Sequence, residues 1–515
     1  RDSGLHCVHV QDDEGSWGKG RTNGALRDGP PPQLFARETL GLLIQFAGVG
    51  IVSGVLPGVI YPVLQGYLNA EGTTIASATM LVQLPLSYKV FFGVLSDCFP
   101  IAGYRRRPYM MLGWSFCCAM LLLMGQLPMV APYYGDPSMR STNPDNWTPD
   151  QLTSINTFAP DAAGQLVLPM MLAAFGCLAV EVAADAIVVE YAQREPLATR
   201  GTLQSTIHCM RMVFYALGAL VVAFVFNGED YGGSFDFSLS FPQFMTALGV
   251  LSLPLVPISL FLVHEEPVPP VPLKDYLARF WVVLQRRAVY QIAAFKFFSG
   301  YLNNFNTVVS SNIKEHWVHA TPFNASAMGV VGNIVYAATL ALTARVGLHW
   351  NWRVCIALTV IVGVVLDGIM SMLVTWDIVR DQWFWLGVPV VGHIPDGVRF
   401  IVSNFVVVEL LINSRFHVWE ADILRDSFET RRDVMITIWI CYILKILSLA
   451  LLPLLPRQKQ ETQDLLRVGG TSRSMATLML VLLAVALVLA TVINLLSMNE
   501  STRCWAITGG CPPSS

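Results

Sequence analysis

Acidic and basic side chains lie inside the apolar segments of this chain, at spacings that could bind a proton or a polar solute. Glu181 and Asp185 are four residues apart, so on a helix both carboxylates point to one face. Two carboxylates this close disfavour joint ionisation, so one of them is suited to take up and release a proton. The pair therefore predicts a site for a proton or a substrate, or, as the structural alternative, a buried ion pair with Lys89 or Arg211.

A second polar stripe precedes and includes Arg211. Gln204, His208 and Arg211 follow each other at helical spacing on an otherwise apolar segment. A fixed guanidinium fork suits a carboxylate ligand, so Arg211 is the stronger candidate for substrate binding. His208 is interpreted as a hydrogen-bonded packing residue, with a proton relay as the alternative.

Amides and aromatic rings are mixed in the segment AAFKFFSGYLNNFN, which contains Lys296, Asn303 and Asn304. A flat hydrogen-bonding heterocycle needs ring faces for stacking and amides or carboxylates for its edge. The alternative is an aromatic core in which asparagines mark a break in the helix. Gly300 and the asparagines fit a discontinuous helix, which is a common device for binding at mid-membrane depth.

The elements that carry these residues must be membrane helices. The chain has 515 residues, of which 54% are hydrophobic and 13% charged, and its mean hydropathy is +0.52. Apolar runs of about 20 residues without alternation predict spanning helices, because lipid leaves backbone groups no other partner. The predicted class is therefore an all-α polytopic membrane protein, which has the lipid bilayer as a partner and no nucleic acid. The twelve predicted spans are 39–61, 73–96, 109–131, 165–191, 205–227, 242–263, 288–310, 326–347, 354–375, 391–413, 433–455 and 474–498.

Charged and proline-rich stretches divide these spans into two blocks. We predict a disordered cytoplasmic tail over 1–38, a first six-helix bundle over 39–263 and a cytoplasmic linker over 264–287. A second bundle then covers 288–498, and a tail covers 499–515.

Lysines and arginines in the links predict the orientation. They concentrate in the N-terminal tail and in the second, fourth and sixth links, which places the N-terminus in the cytoplasm. Glycosylation sequons at Asn146 and Asn324 fall in the third and seventh links, which this orientation puts outside. We therefore expect a glycoprotein in the plasma membrane or another membrane of the secretory pathway.

The link between the second and third spans has the sequence GVLSDCFPIAGYRRR. An acid and bases at a helix end can pair in one conformation and separate in another, which predicts a gate. The alternative is that the arginines only fix the topology. The residues of this gate motif are Gly93, Asp97, Gly103, Arg105, Arg106 and Arg107.

This link resembles the signature of the major facilitator superfamily, in which G-x-L-S-D precedes G-x-R-R-R. Read together, SDCFPIAGYRRRPYMMLGW and EVAADAIVVEYAQREPLATRGTLQS resemble the folate and biopterin transporter family. Its members carry S-D-x-x-P-I-x-G-x-R-R-x-P-Y and D-x-x-x-D-x-x-V-V-E in these places. Glu181 stands where the family usually has the first aspartate, which keeps the charge.

The resemblance implies two six-helix bundles and secondary active transport of folate-like or pterin-like organic anions by alternating access, as a proton symporter. Two alternatives are a transporter of another small organic solute and a membrane receptor or scaffold that transports nothing. No H-E-x-x-H, G-x-S-x-G or nucleotide-binding pattern lies near a span, so we expect no enzymatic activity, no cofactor and no metal. The oligomeric state has no signature in the sequence.

The chain departs from the family after Glu409. The family has a further span here, whereas this chain continues with LLINSRFHVWEADILRDSFETRRD, which is too charged to cross a bilayer. One family span is therefore suspected to be missing near 410–432. With twelve spans the link 456–473 faces outside and the C-terminal tail faces inside, and one additional crossing reverses both.

Overall fold

The computed structural model describes residues 27, 29–33, 36–141, 147–196, 202–303, 309–346, 350–403, 423, 426–499, 501–502 and 505. Over these residues the chain is helical and contains no β-strand. The helices of the first half are α1 Arg37–Ile60, α2 Gly72–Gln83, α3 Lys89–Cys98, α4 Arg107–Met124, α5 Pro149–Thr153, α6 Ala163–Ala192, α7 Thr202–Val225, α8 Phe241–Ser252 and α9 Leu255–Phe261. Those of the second half are α10 Leu273–Leu284, α11 Arg287–Asn303, α12 Val309–Asn312, α13 Pro322–Val346, α14 Trp352–Thr375, α15 Gln382–Ser403, α16 Phe428–Leu447, α17 Lys459–Val468 and α18 Arg473–Ser497.

The predicted all-α polytopic class is confirmed. Within the described residues, nine helical segments are long and apolar enough to cross a membrane. Helices α11, α13 and α15 occupy the other three predicted ranges. We call α1–α9 the first block and α11–α18 the second block, with α10 lying in the predicted linker.

Glycines allow the helices of the first block to pack at very short distances. A Cβ atom on Gly54 of α1 would lie 2.2 Å from the carbonyl oxygen of Tyr215 on α7, and one on Gly113 of α4 would lie 2.7 Å from that of Gly176 on α6. Small residues at such crossings let backbones approach, and close contact replaces the hydrophobic effect as the attraction between helices in lipid.

The second span is bent, and the bend positions a charged residue. A 3₁₀ turn, Leu84–Tyr88, separates α2 from α3 and contains Pro85 near its start. Proline removes a backbone donor and clashes with the preceding turn, so it favours such a break. Lys89 follows the turn directly as the first residue of α3.

The linker connects to one end of the first block, which we call the link face. There the hydroxyl of Tyr191, near the end of α6, donates to the carbonyl of His264 at 3.1 Å. The Glu265 carboxylate accepts from the backbone amides at the start of α4. The link face therefore contains the end of α6 and the start of α4, and the other end of the bundle is the opposite face.

The last described helix, α18, runs from the link face to the opposite face. Next to its start, the amide of Ser472 donates to the carbonyl of Gln285 at 2.9 Å, and that of Arg287 donates to Gly470 at 3.1 Å. At its other end, a Cβ on Gly164 at the start of α6 would lie 2.7 Å from the Met498 carbonyl. The start of α18 therefore lies at the same face as the linker, and its end lies at the opposite face with the start of α6.

Helices α15 and α16 both start at the opposite face, although they are consecutive among the described helices. The side-chain Nδ2 of Asn324, at the start of α13, donates to the side-chain Oε1 of Gln382, at the start of α15, at 3.0 Å. Asp426, just before α16, pairs with Arg380, just before α15. Residues 404–422 and 424–425, which include most of the stretch suspected of lacking a family span, lie outside the described part of the chain.

The two blocks meet mainly through two pairs of helices. Helix α7 of the first block packs against α13 of the second, and α18 of the second block packs against α2 of the first. At the second contact, the hydroxyls of Tyr88 and Thr491 are 3.0 Å apart.

Candidate functional site

Four ionisable side chains meet inside the first block. Lys89 Nζ lies 2.7 Å from Asp185 Oδ2 and 3.2 Å from Glu181 Oε1. The guanidinium of Arg211 reaches the other oxygen of Glu181 at 3.2 Å. The structure thus brings together the four first-block residues predicted to bind substrate or proton, and we call them the charged cluster.

Three helices position the charged cluster. Glu181 and Asp185 are one turn apart on α6, Arg211 lies on α7, and the 3₁₀ turn places Lys89 at the start of α3. The side chain of Glu181 is only 5% exposed, and it bridges the two cations. Because the cluster contains two cations and two anions, its formal charge is zero when all four groups are ionised. The same pairing is also what we expect from the alternative in which the carboxylates only form a structural ion pair with Lys89 or Arg211.

A cavity of about 190 Å³ borders the cluster. Its wall includes Glu181, Arg211, Tyr215, Ser53 and Gln83. Ligand pockets for drug-sized molecules are usually about 300–1,000 Å³. The cavity is therefore smaller than the usual site for a drug-sized ligand.

The other two residues of the polar stripe on α7 are His208 and Gln204. The imidazole of His208 lies edge-on to the ring of Phe46, with 6.1 Å between the ring centroids. Gln204 is exposed.

The gate motif forms its ion pair within its own link. The Arg106 guanidinium donates to Asp97 and to the Ser96 hydroxyl, each at 2.5 Å. Gly103 adopts φ +83°, a conformation in which glycine is favoured, and its carbonyl accepts from the amide of Val268 in the linker. Gly93 has open space around its α-carbon.

Two residues that sequence reasoning did not select complete the motif. The Glu265 carboxylate accepts from the backbone amides of Arg105, Arg106 and Arg107 at 2.8–3.1 Å, so it satisfies amides at the start of α4. The hydroxyl of Tyr276 on α10 donates to Asp97 at 3.4 Å. In the sequence, the only indication of these two contacts was the presence of acidic and aromatic residues in the linker that follows the sixth span.

Of the predicted site residues of α11, the structure describes Lys296 and Asn303. The Asn303 amide donates to Ser299 on its own helix and, at 2.8 Å, to the Ser448 hydroxyl after α16. Lys296 lines neither the cavity at the charged cluster nor a larger cavity in the second block. Asn304 lies outside the described residues, as does the sequon asparagine Asn146.

The second sequon is placed at the start of α13. The Asn324 nitrogen that would carry a glycan donates to Gln382 at 3.0 Å. Attachment of a glycan requires this bond to break.

These observations define a class of protein: a multi-pass helical membrane protein that holds a charged cluster within its first block of helices. Residues 49–133 match the BT1 family, and over this stretch the match bears out the resemblance to folate and biopterin transporters. The match includes α2, α3, the gate motif and α4.

A curated relative supports the same assignment over a short stretch. The chain is 27% identical over 95 residues to "Folate transporter 1" of Plasmodium falciparum (isolate 3D7), which is 18% of either protein. The matched part thus spans less than one fifth of that relative.

Two solved structures are similar to this chain at low sequence identity. The D-xylose-proton symporter is similar with a TM-score of 0.48 and 11% identity, over 90% of this chain and 99% of that one. The xylose transporter XylE from E. coli, in its inward-open conformation, is similar with a TM-score of 0.49 and 10% identity, over 83% of this chain and 99% of that one.

Proposed function

We propose that this protein is a secondary transporter that moves a folate-like or pterin-like organic anion together with a proton. The observation that carries the proposal is the charged cluster, in which two carboxylates and two cations neutralise each other beside a small cavity. The match to the BT1 family and the name of the Plasmodium relative support the choice of substrate.

The cluster offers a physical route to coupling. When Asp185 takes up a proton, its attraction to Lys89 at 2.7 Å is weakened and the cluster gains a formal charge of +1. A carboxylate of the substrate can then replace Asp185 as the partner of the ammonium. Anion binding is thereby favoured after protonation, which is the coupling that a proton–anion symporter needs.

Asp185 is better placed for this role than Glu181. The side chain of Asp185 is 22% exposed and contacts one cation, whereas Glu181 is 5% exposed and contacts two. Release of Glu181 would take the carboxylate partner from Arg211 and leave Lys89 with Asp185 alone, which is costly where water is largely excluded. We assign Asp185 to proton exchange and Glu181 to holding Lys89 and Arg211 in position.

The gate motif sets the balance between the two orientations of the blocks. Its ion pair, Arg106–Asp97, is held to the linker by Tyr276 and Glu265. A movement of α10 would therefore change the surroundings of Asp97. In this proposal the linker joins the motions of the two blocks.

Uptake into proteoliposomes tests the function directly. Purified protein is given folate, biopterin or an unrelated anion, with and without a proton gradient. Accumulation of folate or biopterin that depends on the gradient supports the proposal. Uptake of the unrelated anion alone would favour a transporter of another solute, and no uptake of any of them would favour a receptor or scaffold.

The variant Asp185→Asn separates the roles of the cluster. If Asp185 carries the coupling proton, the variant loses accumulation against a gradient but keeps downhill exchange. If Asp185 binds the donor edge of a pterin, exchange is lost too, because an amide offers one acceptor where a carboxylate offers two. Loss of the protein from the membrane, with rescue by Lys89→Gln, would show that the pair is structural.

A further inference from the structure

The second block contains a cavity of its own, about 360 Å³ in volume. Helices α14, α15 and α16 and the residues around α12 form most of its wall, and Tyr61 from the first block completes it. Its volume falls within the range of about 300–1,000 Å³ that holds small organic ligands. None of its wall residues belongs to the charged cluster.

Hydrogen bonds fix one side of this cavity. The hydroxyl of Tyr442 donates to Asp367 at 3.0 Å and lies 3.0 Å from the Ser371 hydroxyl. Tyr442 and Ser371 are buried, and Asp367 and Ser371 are one turn apart on α14. A phenol anchored at its hydroxyl keeps its ring in a defined position, so this wall is built before a ligand arrives.

Two lysines give the cavity a positive charge. Lys445 on α16 lies 5.8 Å from the centre of the Tyr442 ring, and Lys314 lies 4.0 Å from the centre of the Tyr61 ring. Together with Asp367, they give the charged groups of the wall a formal total of +1. The indole of Trp385 adds an apolar surface. Ammonium groups beside aromatic faces match an anion that is attached to a flat ring.

We propose that this cavity is a second binding site, which takes the carboxylate end of an aromatic organic anion between Lys314 and Lys445. The Tyr442–Asp367–Ser371 group holds the aromatic wall, and Trp385 packs against the ring of the ligand. The identity of the ligand as the transported substrate rests on the proposed function, whereas binding at the site does not.

The ligand also affects a contact between the blocks. Lys314 now lies over Tyr61, which belongs to the first block. A carboxylate bound by Lys314 competes with the ring for the same ammonium. Occupation of the cavity therefore weakens the contact between Lys314 and Tyr61, which holds the blocks together. Ligand binding thereby favours separation of the two blocks at this contact.

Binding measurements on the purified full chain test this site. The probes are 4-aminobenzoyl-glutamate, which has a ring and carboxylates, and biopterin, which has a ring system but no carboxylate. Lys445→Gln and Lys314→Gln should each weaken binding of 4-aminobenzoyl-glutamate about tenfold or more, as expected for loss of a charged partner. Lys445→Arg should restore most of the affinity, because it keeps the charge.

Controls identify folding defects and the dependence on transport. Lys274→Gln, an exposed lysine on α10, should bind like the wild type, and the unliganded thermal midpoints of the lysine variants should stay close to that of the wild type. Absence of binding to the wild type, or binding by both glutamine variants that is as tight as that of the wild type, would overturn the site. Binding that depends on both lysines in a protein that transports no folate would leave the site in place and remove the proposed function.

Discussion

Lys89 and Glu181 form an ion pair whose two side chains differ sharply in exposure, 39% for the lysine and 5% for the glutamate. The buried end depends on the pair more than the exposed end does, because an unpaired charge is costly only where water is excluded. The two ends of the charged cluster should therefore respond differently to substitution.

We expect Glu181→Gln to be much more destabilising than Asp185→Asn. The first change leaves Lys89 and Arg211 without their shared anion and should cost about 3 kcal/mol, and the second should cost about 1 kcal/mol. Thermal unfolding in detergent measures both. Adding Arg211→Gln to Glu181→Gln should recover part of the loss, and equal midpoints for the two single variants would contradict the assigned roles.

The gate motif predicts a kinetic effect without a loss of protein. Asp97→Asn removes the charged acceptor of Arg106 and should slow uptake about tenfold at normal abundance, since such a bond contributes roughly 1.5–3 kcal/mol. Tyr276→Phe, which removes only the bond at 3.4 Å, should have a smaller effect in the same direction. Normalised uptake rates in proteoliposomes distinguish them, and an unchanged rate for Asp97→Asn would remove the gate role.

The ion pairs of Asp426 with Arg380 and Arg431, which we call the Asp426 clasp, predict that the stability of the protein depends on pH. Burial alone would raise the pKa of Asp426, but hydrogen bonds from Arg380 and Arg431 hold this pKa at about 2, below its usual 3.8. A lowered pKa in the folded state stabilises the protein at pH values above the unfolded pKa, and this contribution disappears as pH falls toward 2. Asp426→Asn should therefore cost of the order of 1 kcal/mol at pH 6, after allowing for screening by solvent.

The matching measurement follows thermal midpoints of the wild type and Asp426→Asn from pH 6 to pH 2.5. The difference between them should be constant above about pH 4.5 and should shrink below it. A difference that is the same at every pH would show that the carboxylate charge is not what stabilises the clasp.

The contact between Lys314 and Tyr61 predicts a difference between two substitutions at the tyrosine. Tyr61→Phe keeps the ring face and should leave the contact intact, whereas Tyr61→Leu removes it. A cation–π contact contributes about 1 kcal/mol, so amide exchange over Ile313–Trp317 should be about fivefold faster in the leucine variant. Equal exchange in both variants would mean that the ring face does not hold Lys314.

The direction of α18 predicts the sidedness of the last links. Thr471→Cys and Ser501→Cys, in a chain with Cys504 and Cys511 changed to serine, should react with an impermeant maleimide from opposite sides of a sealed vesicle. Thr471 should share its side with the linker, because Arg286 is bridged to it. Labelling of both cysteines from one side would contradict the orientation of α18.

The sequence predicted the helical class and the charged cluster for clear physical reasons. Long apolar runs in lipid have few alternatives to helices, and charges inside such runs seek partners, so Glu181, Asp185, Lys89 and Arg211 could be selected together. Their pairing required knowledge of which helices are neighbours, which a single sequence lacks. The bend before Lys89 had a local signal in Pro85.

Other features depended on tertiary contacts. Glu265 and Tyr276 are ordinary linker residues until the chain returns to the start of α4 and the end of α3. Asp367 and Lys445 were visible as charges inside spans, but the cavity that joins them to Lys314 arises from helices far apart in the chain. The side of the last link was predicted from a count of crossings, and such a count reverses when one crossing is added.

The packing of α18 against α2 has a consequence for how the protein is made. Chains leave the ribosome from the N-terminus onward, so α2 is synthesised several hundred residues before the helix that covers it. Until α18 has been inserted, the surface formed by α2 and Tyr88 must contact lipid or the machinery of insertion. The contact between α2 and α18 can therefore form only after synthesis is nearly complete. A premature stop codon before residue 473 would yield a chain that contains the whole first block but lacks the helix that covers α2.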